Sequence, residues 1–216
     1  MNRREFSAGL ACTLGAAALG LPGLAWAQKK PEEGNDYRAL DKRVPVQAPA
    51  GKIEVVEFFW YSCPHCNAFE PRLVAWSKQL PPDVVLRRVP VAFRDDFVPQ
   101  QRLYYTLEAM GKLEELHPKV FEAIHVHGQR PDREQSILAF AVQHGLNRSQ
   151  FSELYNSFTI SSKARAATQL QDAYRVEGVP ALGIAGRYYV DGELAGNMER
   201  ALQITNYLIA EARKAK

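Results

Sequence analysis

Cys63-Pro64-His65-Cys66 sets two thiols three residues apart in a chain of 216 residues whose one other cysteine is Cys12. Three residues is just under one helical turn, so the pair can close a tight disulfide or open to two thiols at one spot. Ahead of it lies Ile53-Glu54-Val55-Val56-Glu57-Phe58-Phe59-Trp60, β-branched and aromatic almost throughout, as suits a strand buried on both faces. Behind it, Phe69, Leu73, Trp76 and Leu80 recur at spacings of 4, 3 and 4, which lays an apolar stripe along a helix that ends before Pro81-Pro82 and carries the cysteines in its first turn. Ser62 is the expected helix cap. A helix N-terminus offers unpaired N–H groups and a positive dipole end, and both favour a thiolate, so Cys63 is expected to be acidified. Cys63 is then the outer sulfur that is attacked and leaves. Cys66, one turn in, is expected to be more buried and to resolve a mixed disulfide from within. Pro64 supplies the fixed φ that a first turn tolerates. His65 adds an imidazole that can charge and favour the reduced form, and a stabilised reduced form makes the disulfide oxidising.

Two plainer readings of the pair exist. Half of a four-cysteine zinc site would need a second Cys-x-x-Cys, which the sequence lacks, and His117, His125, His127 and His144 all lie far along the chain, so neither a metal nor a cofactor is expected. A lone structural disulfide stays open, although so short a loop braces little. Two further features bear on redox exchange. Glu57 stands inside the apolar strand, where an ionised carboxylate is costly unless paired: it is either a buried acid with a raised pKa that exchanges a proton with Cys66, or an edge glutamate facing water. Arg88 on the next strand is its candidate partner or else a surface charge. Val179-Pro180 opens a later strand, where a cis peptide would bring a backbone edge against the cysteines.

Composition narrows the setting. Residues 1–27 read as a secretory signal, with Arg3-Arg4, a small and apolar run, and the cleavage pattern Ala25-Trp26-Ala27. Removing Arg3, Arg4 and Glu5 turns 27 basic and 24 acidic residues into 25 and 23, a formal +2 on 189 residues. Such a balance offers no phosphate-binding stripe, and no nucleic-acid partner is expected. Cys12 leaves with the signal and lacks the flanking residues of a lipid anchor. Asn2-Arg3-Arg4-Glu5-Phe6 fits either a partial twin-arginine signal or the basic start of a general secretory one.

The remaining elements follow from pattern. Residues 28–50 form a leading arm with an edge strand around Val44-Pro45-Val46. Val84-Val85-Leu86-Arg87-Arg88-Val89 is a second strand, parallel to the first through a right-handed crossover. Short helices follow, marked by Leu103, Leu107 and Met110 and by Leu116, Val120 and Ile124, with caps at Asp132 and Asn147 and a stop at Gly145. Ala181 to Ala185 and Arg187 to Val190 are two antiparallel strands, and a helix from about Asn197 to Ala212 closes the chain. The fold class is α/β, a sheet core carrying a helical domain, divided into an arm at 28–50, a first core part at 51–94, an insert at 95–160 and a second core part at 161–216.

Val56-Glu57-Phe58-Phe59, Cys63-Pro64-His65-Cys66, Phe69-Glu70 and Gly178-Val179-Pro180 together resemble the bacterial DsbA family over nearly the whole mature chain. The resemblance implies a thioredoxin-like fold with a helical domain inserted, and a periplasmic dithiol oxidase that donates its Cys63–Cys66 disulfide to newly exported proteins with free thiols. It implies a strongly acidic Cys63, a resolving Cys66, a cis Pro180 that with Val179 contacts the substrate, Glu57 as the buried acid, and Arg88 where a basic residue belongs. It also implies reoxidation by a quinone-linked inner-membrane partner of the DsbB type; a monomer is the default for this architecture. Trp60-Tyr61, Pro71 and Pro90 depart from the family pattern. A disulfide isomerase or reductase of the same fold, and a chaperone-like binding module, are the competing functions.

Overall fold

Every one of the seven residues of β2 (Ile53–Phe59) is buried, Glu54 and Glu57 included. A strand covered on both faces belongs inside a sheet between two layers. A computed structural model describes residues 30–215 and has that form; the signal expected at residues 1–27 lies outside them. Five strands stand in the order β1 (Arg38–Ala39), β5 (Tyr188–Asp191), β4 (Ala181–Ile184), β2, β3 (Val84–Pro90). β2 and β3 are parallel, with Glu57 opposite Arg88 in register, while β4 pairs antiparallel with β2 and β5 antiparallel with β4. The crossover from β2 to β3 is α1 (Pro64–Ser77). Between β3 and β4 come a short 3-10 turn (Asp95–Phe97), α2 (Val98–Ala109), α3 (Leu113–His125), α4 (Glu134–Gln143), α5 (Arg148–Tyr155) and α6 (Phe158–Ala173), and α7 (Met198–Lys214) closes the chain. Among the described residues no helix is long and apolar enough to cross a membrane.

The two-residue period of β2 sorts its side chains between the layers. Ile53 and Val55 join Phe69 and Leu73 of α1 and Ile204 and Leu208 of α7. Val56 and Phe58 join the opposite cluster, built with Leu103, Leu107, Val120 and Phe151 of the intervening helices. Glu57 shares the face of Val55, so its carboxylate is directed toward α1.

Several boundaries differ from the sequence reading, each for a local reason. The arm's strand is at Arg38–Ala39, paired with Tyr188 and Tyr189, and not around Val44-Pro45-Val46. There Val44 N–H does bond Gly186 O at 2.8 Å, but Pro45 has no N–H with which to extend a ladder. The cap of α1 is Cys63, one residue after Ser62. That of α4 is Arg133, one after Asp132. Asn147 does cap α5, accepting Gln150 N–H at 3.0 Å, and Gly145 takes φ +78° just past α4. Residue 160, the expected end of the insert, falls inside α6.

Gly183 on β4 lies under the ring of Tyr174, and a Cβ there would overlap that ring. Tyr174 is 1% exposed and packs on Phe58 with ring centroids 5.2 Å apart, which leaves it little room to retreat. Gly183→Ala is therefore expected to lower the unfolding free energy by about 1–3 kcal/mol. Urea unfolding checks this: a lowered midpoint at unchanged slope is expected, whereas an unshifted midpoint would show that the ring yields freely.

Candidate active site

The chain leaves β2 through a tight turn that aims Cys63 along a new helix. Cys63 N–H bonds Trp60 O at 3.0 Å, closing a four-residue turn with Tyr61 and Ser62 at its centre. Cys63 then takes an extended conformation, φ −80° and ψ 118°, and its Sγ accepts the N–H of Cys66 at 3.3 Å. A sulfur thus occupies the position at which a Ser or Asp oxygen usually caps a helix. Pro64 fills the first helical position, where its missing N–H costs nothing. Both cysteines are buried free thiols, Cys63 at 7% exposure and Cys66 at 0%, while Pro64 and His65 are exposed.

The two sulfurs are driven in opposite directions. Cys63 falls from an ordinary 9.0 to about 6, chiefly because the Cys66 thiol hydrogen-bonds its thiolate. Burial opposes this, the N–H groups of Cys66 and His65 add to it, and the charge of His65 contributes last. Cys66 is pushed far up, by burial first, then by its bond to Cys63 and the Cys63 charge, with a further push from Glu57. On the other side of the pair the Val179–Pro180 bond is cis, and Cys63 Sγ donates to Val179 O at 3.4 Å.

Behind the pair sits a buried cluster of charge. Glu57, 1% exposed, approaches Arg88 Nε to 3.1 Å, although the two are poorly aligned for a hydrogen bond. Arg88 Nη2 donates to Glu70 Oε1 at 2.7 Å, and His117 Nε2 lies 3.5 Å from that same oxygen. One guanidinium therefore serves two carboxylates. Burial, and then the neighbouring Glu70 charge, raise Glu57 from 4.5 to about 8, with Arg88 opposing. His117 is held below its ordinary value by its own burial. A groove of about 690 Å³ between α1, β3 and α3 reaches this cluster at Glu70, Arg88 and His117. Among the described residues no group of three or more His, Cys, Asp or Glu could hold a metal ion.

The profile of the DSBA-like thioredoxin domain matches residues 84–203, a span that begins after the cysteine pair. The thiol:disulfide interchange protein DsbA of Bordetella pertussis is 40% identical over 202 residues, covering 93% of this chain and 96% of its own. That of Azotobacter vinelandii is 42% identical over 183 residues, 85% of each chain. This chain belongs to the DsbA family. The crystal structure of Pseudomonas aeruginosa DsbA matches it with a TM-score of 0.79 at 41% identity, covering 84% of this chain and 94% of that one. The DsbA membership makes the chain a periplasmic thiol:disulfide oxidoreductase of thioredoxin-like fold with an inserted helical subdomain, a dithiol oxidase that passes disulfides to substrate proteins through Cys63 and Cys66.

The structure brings together Cys63, Cys66, Pro64, His65, Val179, Pro180, Glu57 and Arg88 from four separate stretches of this DsbA-family sequence. Sequence reasoning passed over Glu70 and His117 as site residues. Glu70 was detectable in principle, because it follows Cys66 by four and so lies on the same face of α1. His117 gave a weaker signal: an imidazole between Leu116 and Val120 on a buried stripe, whose tie to the cluster only the tertiary packing reveals.

The pH dependence of stability separates these groups. Below pH 4.5 Glu57 is protonated folded or unfolded; from there to about 8 only the unfolded chain has ionised it, so its contribution falls as pH rises. Cys63 in the dithiol form works oppositely, its contribution rising from about 6 to 9 as the folded thiolate forms first. Glu57→Gln is therefore expected to make the unfolding free energy of the dithiol form climb more steeply between pH 6 and 8 than in the parent. Denaturant unfolding in reductant across that range tests it, and parallel curves would show that Glu57 ionises normally. Arg88→Leu, which strands two acids, should cost about 3–5 kcal/mol at neutral pH and regain much of that in acid; a loss independent of pH would deny the pairing.

Proposed function

We propose that this dithiol oxidase works by a fixed division of labour between its sulfurs, and the observation that supports it is the opposed acidity of Cys63 and Cys66. A client thiolate attacks Cys63 of the Cys63–Cys66 disulfide; the new bond joins client sulfur to Cys63, and Cys66 departs with the electron pair. Buried and high in proton affinity, Cys66 takes a proton, for which Glu57 is the nearby carrier, since with a pKa of about 8 it is mostly protonated at neutral pH. The client's second thiolate then attacks the first client sulfur. Cys63 leaves as a thiolate, and a low leaving-group pKa makes that step fast. The client departs with one disulfide and the enzyme holds the two electrons as a dithiol. His65 and Pro64 shape the N-terminal turn, and Arg88 balances Glu57 and Glu70.

Val179 and Pro180 are the substrate-binding residues in this scheme. The carbonyl of Val179, 3.4 Å from Cys63 Sγ, lies where an extended client segment bonded to Cys63 can pair by main-chain hydrogen bonds. Recognition through the backbone accepts many client sequences. The electrons leave to a quinone-linked inner-membrane thiol oxidase of the DsbB type, and the enzyme acts as a monomer after export under the signal at residues 1–27. Its working parts are the arm at 28–50, a first thioredoxin-like part at 51–94, the insert that starts at 95, and a second thioredoxin-like part that ends at 216, with α6 running through the expected join at 160.

Trapping distinguishes the two sulfurs. With a peptide carrying a single thiol and a small-molecule disulfide as oxidant, Cys66→Ala should accumulate a mixed disulfide at Cys63, seen by mass spectrometry, because neither Cys66 nor a second client thiol is there to release it. Cys63→Ser should form none and lose activity. Adducts on Cys66 in the second variant, at the parent's rate, would reverse the assigned roles, and retained client oxidation there would remove the dithiol mechanism.

A further inference from the structure

We propose that Gln100, on α2 of the helical region and distant in sequence from the cysteines, is a positioning residue that sets the acidity of Cys63 by clamping Ser62. Gln100 is 2% exposed. Both of its amide atoms are spent on one neighbour: Oε1 accepts Ser62 N–H at 3.2 Å, and Nε2 donates to Ser62 Oγ at 2.7 Å. Burying a primary amide is unfavourable unless its hydrogen bonds are made, and an apolar side chain could fill the same space. What the amide adds is geometry.

That geometry is exerted next to the reacting sulfur. Ser62 is the third residue of the turn closed by Cys63 N–H on Trp60 O, so its own N–H points out of the turn, and Gln100 receives it. The rest of the turn is held from the same side. Tyr61 O accepts His125 Nε2 at 2.8 Å, Tyr61 OH meets His117 Nδ1 at 2.8 Å, and Trp60 stacks on Phe97 with centroids 4.0 Å apart. Among these contacts only those of Gln100 grip the residue that directly precedes Cys63. Cys63 caps α1 through an Sγ to Cys66 N–H contact of 3.3 Å, and a charge-assisted bond of that kind weakens steeply with misalignment. Loosening Ser62 tilts the plane of the Ser62–Cys63 peptide and swings Sγ away from its donors. The cost falls on the thiolate, which exists only in the dithiol form. Removing the clamp therefore makes the disulfide less oxidising.

The test uses the complete mature enzyme with Gln100→Leu, and Ser62→Ala as a milder variant that deletes only the hydroxyl bond. Two readouts are taken: the ionisation midpoint of Cys63 from thiolate absorbance, and the equilibrium constant with glutathione. In Gln100→Leu the midpoint is expected to rise by roughly half to one unit, and the equilibrium constant to shift roughly three- to tenfold toward a weaker oxidant. Ser62→Ala should move both in the same direction by a smaller factor. The double variant should shift little beyond Gln100→Leu, because both changes act through one contact. If Gln100→Leu does not fold, Ser62→Ala alone decides. Midpoints and equilibrium constants equal to the parent's, with the oxidised and dithiol forms losing equal unfolding stability, would overturn the proposal and leave Gln100 as packing.

Discussion

A sulfur caps α1, and that single substitution of S for O makes the fold an oxidant. The Cys63 thiolate gathers the Cys66 thiol and the N–H groups of Cys66 and His65, donors that any helix start leaves unsatisfied. In the disulfide the same sulfur carries no charge, so these interactions favour the dithiol form. The favoured direction of electron flow is thus from client to enzyme. Everything upstream serves the placement of this cap: β2 is buried along its whole length and fixes where the chain emerges, the turn at Tyr61 and Ser62 redirects it, and Pro64 starts the helix without wasting a donor.

The second constraint is the imbalance of charge behind the sulfurs. Glu57 and Glu70 share Arg88, so the buried cluster has one more carboxylate than it can neutralise with a fixed cation. Like charges at close range in a poorly solvated place cannot both ionise easily. The proton settles on Glu57 because it is the more deeply buried of the two, at 2% side-chain exposure against 13% for Glu70. An ordinary one-to-one ion pair would have held Glu57 ionised and unable to give a proton. The mismatch favours a protonated Glu57, the form that the mechanism proposed above requires of it, at the expense of stability near neutral pH.

Much of this was legible in the residues. The apolar run through Phe59 suited an interior strand, the stripe of Phe69, Leu73 and Trp76 marked one face of a helix, although α1 ends at Ser77 and leaves Leu80, the expected fourth member, beyond it, and the spacing of the cysteines put them in its first turn. Arg88 was a candidate partner for Glu57, but the register that sets the two side by side is seen only in the paired strands. What remained hidden depends on contacts between distant segments. Ser62 looks like a cap because Ser before a helix usually is one; its hydroxyl is instead taken by Gln100, thirty-eight positions away, and the cap moves to Cys63. Val44-Pro45-Val46 has strand composition, but the edge of β5 accepts Arg38–Ala39, where both N–H groups are present. Local pattern names the element; which neighbour claims its polar groups decides where the element begins.

The helical region shows the same dependence in reverse. A turn between a buried strand and a catalytic helix exposes backbone groups that water would otherwise satisfy, and in a small sheet domain it would move with the solvent. Here Gln100 takes the Ser62 N–H and His125 bonds the Tyr61 carbonyl, while Phe97 covers Trp60. The Tyr61 carbonyl and the Ser62 N–H are thereby paired to protein. Rigidity at that point matters more than elsewhere, because the sulfur that is attacked and leaves is the very next side chain and its acidity is set by alignment with donors in the first turn of α1. A helical region inserted after β3 can therefore tune a redox centre built before it without contributing any atom that exchanges electrons.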